Sequence, residues 1–208
     1  MKVETPAGTV SATRSGPESP VVVVAHGAGG SKDDPLLEGF AAALGERGVG
    51  CLRFNFPYRE HGRKAPDPEP VLRDAWAAAF ETAGGAEVWV GGKSLGGRIA
   101  SMCVADGMPA RGVVFVGYPL HPPGRPERIR DEHLYRVPVP MLFLQGTADP
   151  FARWDLLEGV LSRIGDRATL HAVEGGGHSF RVRGTRKDDR GTGRRLGEVA
   201  AEFVLARR

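Results

Sequence analysis

Short, unbroken apolar runs alternate along the chain with longer segments that are apolar at every third or fourth position. The runs predict buried strands, because a strand covered on both faces needs no polar positions. They are Val21–Ala25, Cys51–Phe56, Val88–Val90, Val113–Val116, Met141–Leu144 and Ala168–Val173. The helical segments are Leu36–Leu44, Val71–Phe80, Leu95–Asp106, Trp154–Ile164 and Leu196–Val204. The first 20 residues predict one or two edge strands, near Val3 and at Thr9–Ala12.

Such alternation predicts an α/β fold, a mostly parallel sheet with helices on both faces. No linker, internal repeat or low-complexity tract divides the 208 residues, so we expect a single domain spanning residues 1–208. Function in a sheet of this kind lies at the carboxyl ends of the strands.

Glycine-rich turns follow three of the predicted strands, at residues 26–30, 91–97 and 175–179. Phosphate binding is one interpretation, since Gly92-Lys93-Ser94 resembles the end of a P-loop. A P-loop requires a glycine where this chain has Glu87, however. A dinucleotide fingerprint starting at Gly27 would likewise require a glycine at Lys32. Both nucleotide interpretations therefore lack a residue whose small size is essential.

The second turn instead matches the Gly-x-Ser-x-Gly pattern, as Gly92-Lys93-Ser94-Leu95-Gly96. It lies between a predicted strand and a predicted helix, which is the setting of a nucleophile elbow. Asp149 follows a later strand, and His178 follows the next one. The order Ser, Asp, His is typical of one hydrolase fold, and predicts Ser94 as nucleophile, His178 as general base and Asp149 as the orienting acid. Asp155 and Glu174 are weaker candidates for the acid.

These motifs resemble those of the α/β-hydrolase superfamily from about Val21 to Phe203. The chain is similar in particular to a small dienelactone-hydrolase-like group of predicted hydrolases. The segments that carry this resemblance are residues 26–30, 92–98, 118–122 and 146–149. Dienelactone hydrolases use a cysteine nucleophile where this chain has Ser94, so the resemblance does not extend to their substrate. Some proteins of the closest group are thought to act in protein complexes.

The oxyanion of an acyl-transfer reaction needs two backbone N–H groups. Leu95 supplies one by following the nucleophile. Similar His-Gly-x loops imply Ala28 as the source of the other. Four aromatic residues near strand ends, Phe56, Tyr58, Tyr118 and Phe151, are candidates for substrate contacts, although packing in the core or at the rim explains them equally well.

The segment where this fold often carries a lid, residues 118–138, contains four prolines within residues 119–126. Proline interrupts helices, so only Glu127–Arg136 is long enough for a short helix. We therefore expect an open site.

Composition excludes several other classes of protein. No apolar run approaches 18 residues and no signal pattern is present, so no membrane association is expected and the cytoplasm is the expected location. The two cysteines and the spacing of the histidines predict neither a disulfide nor a metal site. Residues 181–208 carry nine Arg or Lys against four Asp or Glu, but no aromatic residue interrupts residues 181–195, which favours a solvated surface over nucleic-acid binding.

The sequence thus predicts a serine hydrolase, esterase-like, that cleaves a small-molecule acyl ester through an acyl-enzyme, without a cofactor. A thioesterase or peptidase is a variant of this hypothesis. The alternative is a hydrolase-fold binding or scaffold protein with an unused triad. The expected assembly is a monomer or a homodimer.

Overall fold

The computed structural model describes residues 1–84 and 88–207. Its eight strands form one sheet in the order β1-β2-β4-β3-β5-β6-β7-β8. The bounds are β1 Lys2–Thr5, β2 Gly8–Ser15, β3 Val21–Ala25, β4 Gly50–Phe54, β5 Val88–Lys93, β6 Val113–Val116, β7 Met141–Gly146 and β8 Ala168–Val173. Only the β1–β2 and β2–β4 pairs are antiparallel, and the other pairs are parallel. The predicted fold class is therefore confirmed.

Helices cover both faces of the sheet. Their bounds are α1 Pro35–Glu46, α2 Pro57–Glu60, α3 Glu69–Ala83, α4 Leu95–Ala105, α5 Trp154–Ile164 and α6 Asp189–Leu205. Helices α1 and α6 pack together on one face, and α3, α4 and α5 pack on the other. The apolar stripes predicted from the sequence are the buried sides of these helices, because helices in a layered domain are stabilised mainly by packing against the sheet.

The last predicted helix is longer in the structure than the sequence pattern indicated. Helix α6 begins at Asp189, two turns before the predicted Leu196, with the Asp188 side chain accepting the Gly191 N–H at 2.8 Å. Glu127–Arg136, the part of the segment 118–138 that is long enough for a short helix, contains a 3₁₀ turn at Leu134–Arg136 and no α-helix. Parallel pairing places the ends of β3, β5, β7 and β8 at one edge of the sheet, where the three glycine-rich turns meet.

Within residues 1–84 and 88–207, no helix is both long and apolar enough to span a bilayer.

Candidate active site

A sharp turn connects the end of β5 to the start of α4, with Ser94 at its apex. Ser94 has φ +50° and ψ −114°, a strained backbone conformation for a residue with a side chain. The flanking glycines allow the turn to approach β3 closely, because a methyl group at Gly92 or Gly96 would overlap the carbonyl oxygen of Ala25. The predicted strand–turn–helix context of the serine is therefore present, and the apex holds its hydroxyl above the sheet.

Two loops from neighbouring strands bring a histidine and a carboxylate to this serine. Ser94 Oγ lies 2.8 Å from His178 Nε2, and His178 Nδ1 lies 2.8 Å from Asp149 Oδ2. The loops are joined by a hydrogen bond from the Ala148 N–H to the Gly176 carbonyl oxygen at 2.9 Å. With the carboxylate accepting from Nδ1–H, Nε2 is free to accept the serine proton.

Asp149 is more deeply buried than His178, the residue that contacts Ser94. The Asp149 side chain is 1% exposed, whereas the His178 side chain is 19% exposed. The Phe151 ring stacks on the imidazole, with 4.1 Å between ring centroids and an interplanar angle of 28°. Phe151 thus shields one face of the histidine and lines the cleft, and its contact with substrate stays a prediction.

A buried glutamine that sequence reasoning missed holds the carboxylate. Gln145 Nε2 donates to Asp149 Oδ2 at 2.7 Å, and the Phe151 N–H donates to Asp149 Oδ1 at 2.8 Å. Gln145 Oε1 in turn accepts the Tyr118 N–H at 2.7 Å, which links the ends of β6 and β7. The signal in the sequence was an amide side chain in the otherwise apolar run Met141–Gly146. Buried amides are retained where both of their polar ends are paired.

The loop after β3 fixes the direction of the Ala28 N–H. The carbonyl oxygen of Gly27 accepts the Gly30 N–H at 3.0 Å and lies 2.8 Å from His26 Nδ1, with the Tyr58 hydroxyl at 3.5 Å. Because N–H and C=O point in opposite directions across a trans peptide, the Ala28 N–H points away from these inward groups. Ala28 lines the same cleft as Ser94, and Leu95 is the first residue of α4, so both residues stay the predicted donors to an oxyanion.

His26 supports this loop as a neutral group. The imidazole is fully buried, and its Nε2 accepts the Phe56 N–H at 3.2 Å, so Nδ1 carries the proton directed at Gly27. Desolvation of the buried ring lowers the pKa of His26 to about 4. At neutral pH this side chain is uncharged and bridges the β3 and β4 loops.

Three of the four expected substrate contacts lie beneath the site. Phe56, Tyr58 and Tyr118 are at most 1% exposed and belong to the core on the α3–α5 face. Phe56 and Tyr58 surround His26, at ring-centroid distances of 5.2 and 5.7 Å. Phe56, Tyr58 and Tyr118 follow strand ends as predicted, but their side chains point into the core, since large aromatic groups gain most from complete burial. The expectation that these three side chains contact substrate is therefore corrected.

The cleft above Ser94 is small and partly polar. It has a volume of about 250 Å³ and is lined by Gly27, Ala28, Gly30, Asp34, Lys93, Ser94, Phe151, His178 and Ser179. None of these residues comes from the segment 118–138, in which the structure contains no lid helix.

A second serine–histidine pair is sealed in the core. Ser101 Oγ lies 2.9 Å from His133 Nε2, but Ser101 is 0% exposed, so a substrate cannot reach it. Desolvation, with the neighbouring Arg98, lowers the pKa of His133 to about 4.

The alternative acids also lie apart from His178. Asp155 is exposed and bonded to Arg153 at 2.7 Å, and Glu174 lines a different cavity. Across the described ranges 1–84 and 88–207, no group of three or more His, Cys, Asp or Glu side chains could hold a metal ion.

Comparison with solved structures supports the same fold. The chain is similar to a serine hydrolase without a lid from Xanthomonas campestris, at 20% identity and a TM-score of 0.72, covering 100% of this chain and 93% of that one. It is similar to Est1E from Butyrivibrio proteoclasticus, a structure with bound ferulic acid, at 15% identity and 0.75, covering 100% and 98%. It is also similar to a dienelactone hydrolase from Anabaena variabilis, at 18% and 0.72, covering 100% and 96%.

A family model described as an alpha/beta hydrolase domain matches residues 18–204. These residues include all of the strands and turns that form the site, from β3 to the turn after β8. The chain therefore belongs to the alpha/beta hydrolase family, as its glycine-rich turns indicated.

Proposed function

We propose that this protein is a serine hydrolase that cleaves small acyl esters through Ser94, His178 and Asp149. The observation that carries the proposal is the pair of 2.8 Å contacts joining the three side chains, with the serine on a strained turn. An isolated serine hydroxyl is a weak nucleophile and is activated by an adjacent base. Ser94 lies on a strained turn and contacts His178, which is held by the buried Asp149. This arrangement suits activation of the serine hydroxyl.

The first half of the reaction forms an acyl-enzyme. His178 Nε2 takes the hydroxyl proton as Ser94 Oγ attacks the carbonyl carbon of the ester. The carbonyl oxygen becomes an oxyanion that the Ala28 and Leu95 N–H groups bind. The bond to the alcohol oxygen then breaks, and the imidazolium gives its proton to that oxygen.

The second half repeats these steps with water in place of serine. His178 removes a proton from water, the hydroxide adds to the acyl carbon, and Ser94 Oγ leaves with the proton from His178. The products are a carboxylic acid and free enzyme. Asp149 stabilises the imidazolium in both halves and keeps the Nδ1 proton in place.

Labelling with a fluorophosphonate probe and hydrolysis of an aryl acetate test the proposal together. The wild-type chain should react with the probe, and Ser94→Ala should lose labelling and about 10⁶-fold in kcat. Ser101→Ala is the matched control, because its hydroxyl also contacts a histidine but is buried. Absence of labelling in the folded wild-type protein would favour a binding or scaffold role, and equal labelling of Ser94→Ala would refute the assignment of the nucleophile.

A further inference from the structure

An ion pair between the strand that carries the nucleophile and the first helix borders the catalytic cleft. Lys93 Nζ lies 3.0 Å from Asp34 Oδ2, and the side chains are only 17% and 16% exposed. Lys93 is the last residue of β5, next to Ser94. The other oxygen of Asp34 accepts the Leu36 N–H at 2.9 Å and caps α1. Both partners are thus held by regular structure, so the pair has little freedom to move.

This ion pair borders two cavities. The catalytic cleft of about 250 Å³ and a second groove of about 420 Å³ are both lined by Lys93 and Asp34. The groove continues away from Ser94 along the start of α1 to Arg59 and Lys187. The cleft and the groove thus share the two charged side chains as part of their lining.

The geometry of acyl transfer directs the acyl group towards this pair. The leaving-group oxygen must lie against His178 Nε2, which gives it a proton. The carbonyl oxygen must lie against the Ala28 N–H. With Phe151 stacked on His178, the lining that remains for the acyl chain consists of Gly27, Gly30, Ser179 and the two charged side chains, Asp34 and Lys93.

We propose that the Lys93–Asp34 ion pair is the end wall of the acyl site and restricts the substrates to esters of short acyl groups. This inference rests on the proposed function. A longer alkyl chain would have to displace the pair or remove the remaining water from its two charges. Removing charged groups from water is unfavourable. A short acyl group ends before it reaches the wall.

The test is the ratio of kcat/KM for an aryl octanoate to that for the matching aryl acetate. Lys93→Ala removes the wall, so its ratio should rise at least about tenfold over wild type, the effect of two further buried methylenes. Asp34→Asn should raise the ratio less, because an asparagine that still caps α1 keeps its side chain in place at the wall. Lys93→Arg keeps a cation opposite Asp34 and should restore the low ratio.

Lys32→Ala is the matched control, since it breaks the adjacent Lys32–Asp33 pair, which lies outside the catalytic cleft, and should leave the ratio unchanged. Thermal unfolding establishes that each variant is folded. A folded Lys93→Ala variant that hydrolyses the acetate with an unaltered ratio would overturn the inference and leave the proposed function intact. If the wild type hydrolyses no acyl ester in a Ser94-dependent reaction, the proposed function itself fails.

Discussion

Replacement of Asp149 by asparagine is the most informative change in the site. The carboxylate accepts three hydrogen bonds, from Phe151 N–H on Oδ1 and from both Gln145 Nε2 and His178 Nδ1 on Oδ2. An amide can accept at only one of these two positions. If its NH₂ group replaces Oδ1, it faces the Phe151 N–H, and if it replaces Oδ2, it faces the Gln145 amide.

The second orientation explains the expected loss of activity. An NH₂ group at Oδ2 donates to His178 Nδ1 and moves the imidazole proton to Nε2, which can no longer accept from Ser94. We expect kcat to fall about 10⁴-fold, as in other Ser-His-Asp triads. This loss equals about 5.4 kcal/mol of transition-state stabilisation. In either orientation one buried donor faces another, which should cost about 1–3 kcal/mol of stability while preserving the fold.

Steady-state hydrolysis of an aryl acetate measures the first effect, and urea unfolding measures the second. Asp155→Asn and Glu174→Gln are the controls, because His178 Nδ1 is hydrogen-bonded to Asp149 and these two carboxylates lie elsewhere. Full activity in Asp149→Asn, together with a large loss in either control, would show that the carboxylate has been misidentified.

Three further outcomes are expected. Gln145→Leu leaves the buried Tyr118 N–H without its acceptor and Asp149 with one donor fewer, so urea unfolding should show a loss of about 2–4 kcal/mol; unchanged stability would contradict the role of this amide. In the wild type, kcat/KM for aryl esters should peak between acetyl and about hexanoyl chains, since a small cleft without a lid covers few methylenes; a rise continuing through about twelve carbons would contradict this. Burial lowers the pKa of His26 and His133 to about 4, so the unfolded chain binds protons first as the pH falls below 6.5. Stability should therefore decrease as the pH falls from 6.5 to about 5, by up to about 1.4 kcal/mol per pH unit for each histidine. His133→Asn should reduce that slope in urea titrations, and an unchanged slope would place the proton uptake elsewhere.

The order of strands and helices along the chain could be predicted from the sequence, because apolar periodicity is a local property of the chain. The positions of Ser94, Asp149 and His178 were equally apparent, since each follows an apolar run and parallel strands bring such ends to one edge. Periodicity failed at the start of α6, where Gly191 and Gly193 weaken the helical signal. A methyl group at Gly193 would overlap the Leu36 carbonyl oxygen, so close packing against α1 requires glycine there.

Only the tertiary structure decided which side chains face the cleft. A residue just after a strand can point into the core or out of it, and the pattern of the sequence is the same in both cases. Phe56, Tyr58 and Tyr118 turn inward and Phe151 turns outward, according to the packing space that distant segments leave. The partners of Asp149 and the contact between Asp34 and Lys93, 59 positions apart, likewise depend on the three-dimensional path of the backbone.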